Sequence, residues 1–194
     1  MTIRAESSPQ IFAFLLVDGF ALMSFASAVE PLRAANTLAG REVYRTICVS
    51  RDGGPVTSSV GTVQPCQAKV GDMVDASTLF VCAGGRPWSF GDKKTFAWLR
   101  LLSRRGVRIG GVSGGPYVLA RSGIMEGRHM TIHWEHAPAL SEDYPELVLT
   151  RSRYRIDRDR VACAGGMAAL DMLHASLAVV HGRALATAGS DWLL

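Results

Sequence analysis

One serine sits among four glycines in the run Gly110-Gly111-Val112-Ser113-Gly114-Gly115. The Gly-x-Ser-x-Gly segment at 111–115 follows the β-branched stretch from Val107 and precedes the helix-forming residues Tyr117-Val118-Leu119-Ala120. A strand turned sharply into a helix in this way presents its central residue at the carboxyl end of the strand, where a nucleophile can act. Helix N-terminal amides behind it would favour an anion or a developing oxyanion. The same five residues also suit a tight turn that needs glycine and nothing more. On the pentapeptide alone both readings stand.

The second group with chemical potential is histidine. His129, His133 and His136 fall close together, but His129 and His133 lack the His-Glu-x-x-His pattern, and no cysteine or carboxylate lies at a familiar zinc spacing. No metal is expected, and His129 and His136 are read as surface residues. His174 and His181 are read as ordinary residues of the last helix. The glycines do not fit a Gly-x-Gly-x-x-Gly fingerprint, and no P-loop lysine follows them. No cofactor is expected. Glu30 and Arg33, one turn apart, read as a helix-surface pair.

The elements that must position Ser113 are legible in hydrophobic pattern. Ile11-Phe-Ala-Phe-Leu-Leu-Val17 and Leu79-Phe-Val-Cys82 are unbroken apolar runs of strand length, as expected of parallel strands buried on both faces. Val43–Val49 is a further strand, and Val56–Ser59 with Thr62–Val63 read as short edge strands. Phe25, Ala28, Val29, Leu32, Ala35 and Leu38 recur at helical spacing, with Pro31 marking a start or kink. Lys94–Arg104 is an amphipathic helix resting on Phe96, Leu99 and Leu102. A short helix around Glu135–Ser141 and a strand at Leu147–Thr150 follow. Tyr154–Asp157 and Arg160–Cys163 make a hairpin, and Ala164-Gly165-Gly166 opens a helix running to His181. Alternation of this kind predicts a flavodoxin-like three-layer α/β/α sandwich with a mostly parallel sheet, in one domain covering residues 1–194. Sites in such sheets form at the carboxyl ends of the strands. Three distinctive endings meet there: the segment after strand one with Ser24 and Phe25, the segment Gly84-Gly85-Arg86, and Ser113. Trp88 and Trp134 add aromatic sides, read as core or rim residues or as a cage for a cation.

Composition narrows the partners. The 194 residues are 48% hydrophobic and 20% charged, with a net charge of +4. The longest apolar run is too short to span a bilayer, and Asp18 follows it at once without a cleavage pattern. A cytoplasmic protein with no membrane partner is expected. Cys48, Cys66, Cys82 and Cys163 show no close pairing and read as small core hydrophobes. The arginines are scattered, so the chain does not look like a DNA reader by itself.

In order along the chain stand Ala28-Val-Glu-Pro-Leu-Arg-Ala-Ala-Asn36, Cys82-Ala-Gly-Gly85 and Gly110-Gly-Val-Ser-Gly-Gly115. Gly123-Ile-Met-Glu-Gly-Arg128 follows, then Thr131-Ile-His-Trp134, Cys163-Ala-Gly-Gly166 and Ser190-Asp-Trp-Leu193. With these segments the chain resembles the ThiJ/PfpI family, of the class I glutamine amidotransferase-like fold. The branch it is most similar to is the sensor domain of GlxA-type, AraC-family transcriptional regulators. In active relatives the elbow carries cysteine, here Ser113, and an acidic residue partners it, here Ser24; the histidine matches His133. The resemblance therefore implies a pseudoenzyme. It also implies a homodimer that senses a small polar metabolite, an amine, amino-acid derivative or quaternary ammonium compound. The binding set would be Ser24, Phe25, Gly84, Gly85, Arg86, Trp88, Ser113, Gly114, His133 and Trp134. DNA would be met only through a C-terminal helix-turn-helix expected beyond Leu194 in the full gene.

Two other readings are consistent with the residues. A serine hydrolase or amidase would use Ser113 and His133, with the Gly85 and Gly114 amides as oxyanion hole; an α/β-hydrolase version would take Asp157 or Asp171 with His174. A structural dimerisation module would have a filled sheet edge above Ser113.

Overall fold

The computed structural model describes residues 8–193; residues 1–7 and Leu194 lie outside the described residues. In chain order the elements are β1 (Gln10–Leu16), α1 (Leu22–Ala39), β2 (Tyr44–Ser50), β3 (Val56–Thr57), β4 (Val63–Gln64), β5 (Ala68–Lys69) and β6 (Thr78–Ala83). They continue with α2 (Lys93–Arg104), β7 (Arg108–Ser113), α3 (Gly115–Arg121), β8 (His129–Met130), α4 (Ala137–Asp143) and β9 (Val148–Leu149). The chain closes with β10 (Tyr154–Asp157), β11 (Arg160–Cys163), α5 (Ala168–His181) and α6 (Arg183–Trp192).

The main sheet runs β10-β11-β7-β6-β1-β2-β5. Every pairing in it is parallel except the β10–β11 hairpin. Side chains alternate between two cores because successive residues of a strand face opposite ways. Ala13, Leu15, Leu79, Val81 and Ile109 pack with Leu99, Leu102, Tyr117 and Val118 of α2 and α3. Phe14, Leu16, Phe80, Cys82 and Val112 pack instead with Phe25, Leu32, Met172 and Leu173 of α1 and α5. The expected three-layer α/β/α sandwich is the observed architecture.

Local departures have local causes. Pro31 lies inside a continuous α1 rather than at its start. β3 and β4 pair with each other as a separate ribbon, while the outer strand of the main sheet is the two-residue β5. α5 begins at Ala168, not Ala164, because Gly165 and Gly166 adopt positive φ of 92° and 56°, which no helix contains. α6 was not anticipated; His174 Nδ1 on α5 lies 2.5 Å from Ser190 Oγ and fixes the two helices together. The buried Arg160 ties β11 to its surroundings: Nε donates to the Ile124 carbonyl at 3.1 Å, Nη1 to Asp159 at 2.7 Å and Nη2 to Ser103 Oγ.

The strand-to-helix turn after β7 is held by close approach. A Cβ at Gly115 would lie 1.9 Å from the Val81 carbonyl oxygen on the neighbouring strand. That oxygen belongs to the sheet ladder and cannot retreat without breaking it. Gly115→Ala should therefore destabilise the domain by about 3 kcal/mol or more, the upper end of overpacking costs. Urea denaturation measures this; a variant as stable as the parent would show that the turn is looser than its geometry.

Candidate functional site

Ser113 ends β7 in the left-handed region, φ 60°, a conformation shared among the described non-glycine residues only with Arg158. Such a backbone costs on the order of 1–3 kcal/mol. Several hydrogen bonds hold it. The Gly114 amide donates to the Ala83 carbonyl at 3.0 Å, and the His133 amide donates to the Ser113 carbonyl at 3.3 Å. The Cys163 sulfur accepts from the Ser113 and Gly165 amides. At about 1 kcal/mol each these bonds match the strain, so the posture persists without any need for catalysis to explain it.

Ser24, on the first turn of α1, reaches the same place from the opposite layer. Its Oγ accepts from the Gly166 amide at 2.7 Å. Gly165 lies between the two serines: a Cβ there would sit 2.8 Å from both Ser113 Cβ and Ser24 Oγ. The Ala164–Gly166 loop thus passes directly over the pair, leaving Ser24 3% and Ser113 5% exposed.

The space around them is divided. A cavity of about 670 Å³ is lined by Asp18, Arg51, Gly84, Gly85, Arg86 and Asp92, with Pro87 as its inner wall. Pro87 packs over Gly114, so this cavity adjoins the elbow without including Ser113. A second cavity, about 830 Å³, lies beyond the loop between Thr131, Trp134, Arg151, Arg153 and Ala164. Ser24 and Ser113 line neither. The structure therefore brings Ser24, Ser113, Gly114 and His133 together at one sheet end and sets Gly84, Gly85 and Arg86 on a neighbouring wall. Phe25 turns into the core, edge-on to Phe14 and Phe20 at ring distances of 5.6 and 5.4 Å. Trp134 is 78% exposed and Trp88 packs edge-on to His136, 5.8 Å away, so the two indoles form no common cage. His136, read as a surface residue, is buried beneath Trp88. His129 is at the surface, where its amide and ring engage Asp157; the amide, foremost, draws that carboxyl down to about 2.

The geometry supplies little of what nucleophilic catalysis requires. No side chain among the described residues hydrogen-bonds Ser113 Oγ, so no base is placed to take its proton. His133 meets Ser113 through backbone only, and its Nδ1 lies 3.9 Å from Glu135 Oε2. The Gly114 amide, invoked for an oxyanion hole, already donates to Ala83; α3 has only seven residues behind it. Neither does a cysteine stand in. Burial pushes the thiols of Cys48 and Cys163 up to about 12 and raises those of Cys66 and Cys82, so none is a thiolate at neutral pH.

The DJ-1/PfpI family model matches residues 11–180. The chain belongs to the DJ-1/PfpI family. Among family members it is 48% identical over 186 residues to the HTH-type transcriptional regulator GlxA of Rhizobium meliloti, covering 95% of this chain and 57% of that protein. It is 41% identical over 182 residues to the HTH-type transcriptional regulator CdhR of Pseudomonas aeruginosa, covering 94% and 54%. The chain thus spans about half the length of these regulators. A crystal structure of an AraC family transcriptional regulator from Pseudomonas putida superposes with a TM-score of 0.84 at 25% identity, covering 96% of this chain and all of that one. Drosophila melanogaster DJ-1beta, at 17% identity and a TM-score of 0.78, shares the fold.

Within this DJ-1/PfpI domain the Ser24 hydroxyl fastens the Gly165–Gly166 loop over the elbow from the α1 layer. Ser24→Ala leaves the part-buried Gly166 amide without its acceptor, at a cost of about 1 kcal/mol. Hydrogen exchange should report faster exchange at Gly166 with little change in β1 and β6; unchanged protection there would remove Ser24 from this role.

Proposed function

We propose that this chain is the ligand-sensing domain of an AraC-family transcriptional regulator, a non-catalytic member of its family. The observation that carries the reading is identity of 48% across 95% of the chain with a regulator about twice as long. The site agrees with it: a serine without a base replaces the reactive residue of the elbow, and every cysteine is held as thiol. DNA contact belongs to a separate helix-turn-helix module, and the working unit is a homodimer.

The ligand is a small amine or amino-acid-like metabolite. The cavity beside the elbow supports that class because Arg51 and Arg86 can receive a carboxylate while Asp18 and Asp92 can receive an ammonium group. Movement of Pro87 on binding would be felt at Gly114, and through it at the Ser113–Gly165 contact. The remaining members of the expected set, Ser24, Ser113, Gly114 and His133 foremost, would then act as the wall that registers occupancy.

A thermal-shift screen of amino acids, amines and quaternary ammonium compounds tests this, since a ligand preferring the folded state raises the melting temperature. At least one compound should stabilise the protein, and Arg86→Ala should weaken it about tenfold or more if a carboxylate is bound. A flat response across the panel would overturn the ligand class. A fluorophosphonate probe should leave Ser113 unlabelled; stoichiometric labelling abolished by Ser113→Ala would restore the hydrolase reading.

A further inference from the structure

The segment following Ile132 contains a cluster that neither the fold nor the sensing role accounts for. His133, Glu135 and His136 each offer a ligand atom, and these atoms lie within 4.8 Å of one another. The cause is a 3-10 turn over Trp134–His136, closed by the His136 amide donating to the His133 carbonyl at 2.9 Å. In a 3-10 turn side chains three apart eclipse, which is how two imidazoles come to lie with ring centroids 5.6 Å apart. The linear spacing His-x-Glu-His matches no familiar zinc pattern, and this turn makes that spacing irrelevant.

The second observation is polar. Nδ1 of His133 and Nδ1 of His136 are both shielded from solvent with no hydrogen-bond partner among the described residues. His136 is 2% exposed, under the edge of Trp88. Buried polar atoms left unpaired are costly, and each of these two belongs to a residue of the cluster.

We propose that His133, Glu135 and His136 form a three-ligand site for a divalent transition metal of the zinc type. Two imidazoles and one carboxylate suit zinc, cobalt, nickel or copper rather than the all-oxygen preference of calcium and magnesium. Tetrahedral coordination at the usual bond lengths separates ligand atoms by about 3.4 Å. The Glu135 side chain, 63% exposed, is free to rotate toward the two imidazoles. The fourth position falls to water or to a donor group of a bound molecule. Because the His133 amide is bonded to the Ser113 carbonyl, an occupied site would stiffen the support of the elbow. This site is independent of the metabolite reading; failure of either leaves the other standing.

The test is titration of the untagged, chelator-treated chain with Co²⁺ and then Zn²⁺. One Co²⁺ per chain should bind with the intense visible absorption of a tetrahedral site, and Zn²⁺ should displace it and raise the melting temperature. Glu135→Gln, at an exposed position that leaves folding intact, should abolish the band, as should His133→Gln and His136→Gln. His129→Gln should retain it. Absence of saturable uptake, or uptake that survives Glu135→Gln and His133→Gln alike, would overturn the site.

Discussion

The structure depends on one constraint: the backbone of Ser113 is held left-handed at the tip of a strand flanked on both sides. β7 lies between β6 and β11, so its end cannot fray, and the chain must leave by reversing direction within one residue. Gly115 must then pass against Val81, and Gly165 against Ser113 itself. These contacts gather what lies at the sheet end. Ser24 arrives from the α1 layer, the Cys163 sulfur from the next strand, and the His133 amide from the segment beyond β8. In a reactive relative such convergence would aim a nucleophile. Here the same geometry survives with hydroxyls, which hydrogen-bond the loops but do not ionise at neutral pH.

Two hydroxyls at the sheet end are consistent with the closure of this site. A carboxylate beside a thiolate demands room, solvent or a counter-charge, because burying unpaired charge is expensive. Two hydroxyls make no such demand, and Ser24 can give its lone pair to the Gly166 amide. The loop then settles over both serines. The open space lies to one side, in the cavity where arginines and aspartates face solvent. Pro87 lines the cavity and packs over Gly114, so cavity and elbow share this residue as a wall.

Much of this was legible in the sequence where the physics is local. Continuous apolar runs announced β1 and β6, and the glycines around Ser113 announced the strand-to-helix turn. Identification of Ser24 as the counterpart of Ser113 came through resemblance, and the contact through Gly165 places the two within reach of one residue. What escaped depends on tertiary approach. Gly165 and Gly166 read as a helix opening because nothing in their neighbourhood says that φ must be positive; the serines beneath them impose it. Phe25, counted as a wall of the site, follows the core because the α1 face that carries Ala28 and Leu32 also carries it. α6 carries few large apolar residues and passes for a tail; it docks through the buried Ala186, the His174–Ser190 contact and Arg33 over the Trp192 ring.

The histidines show the same limit most sharply. Sequence spacing is a guide to ligation only when the backbone between ligands is regular. Between His133 and His136 it is neither strand nor α-helix, and a single 3-10 turn sets the rings side by side. Burial of His136 then follows from Trp88, itself placed by Pro87 on the segment that walls the cavity. Cavity, elbow and histidine turn are thus joined through two short irregular segments rather than through the sheet. The sheet supplies the floor, and these two segments pack against it outside its ladder.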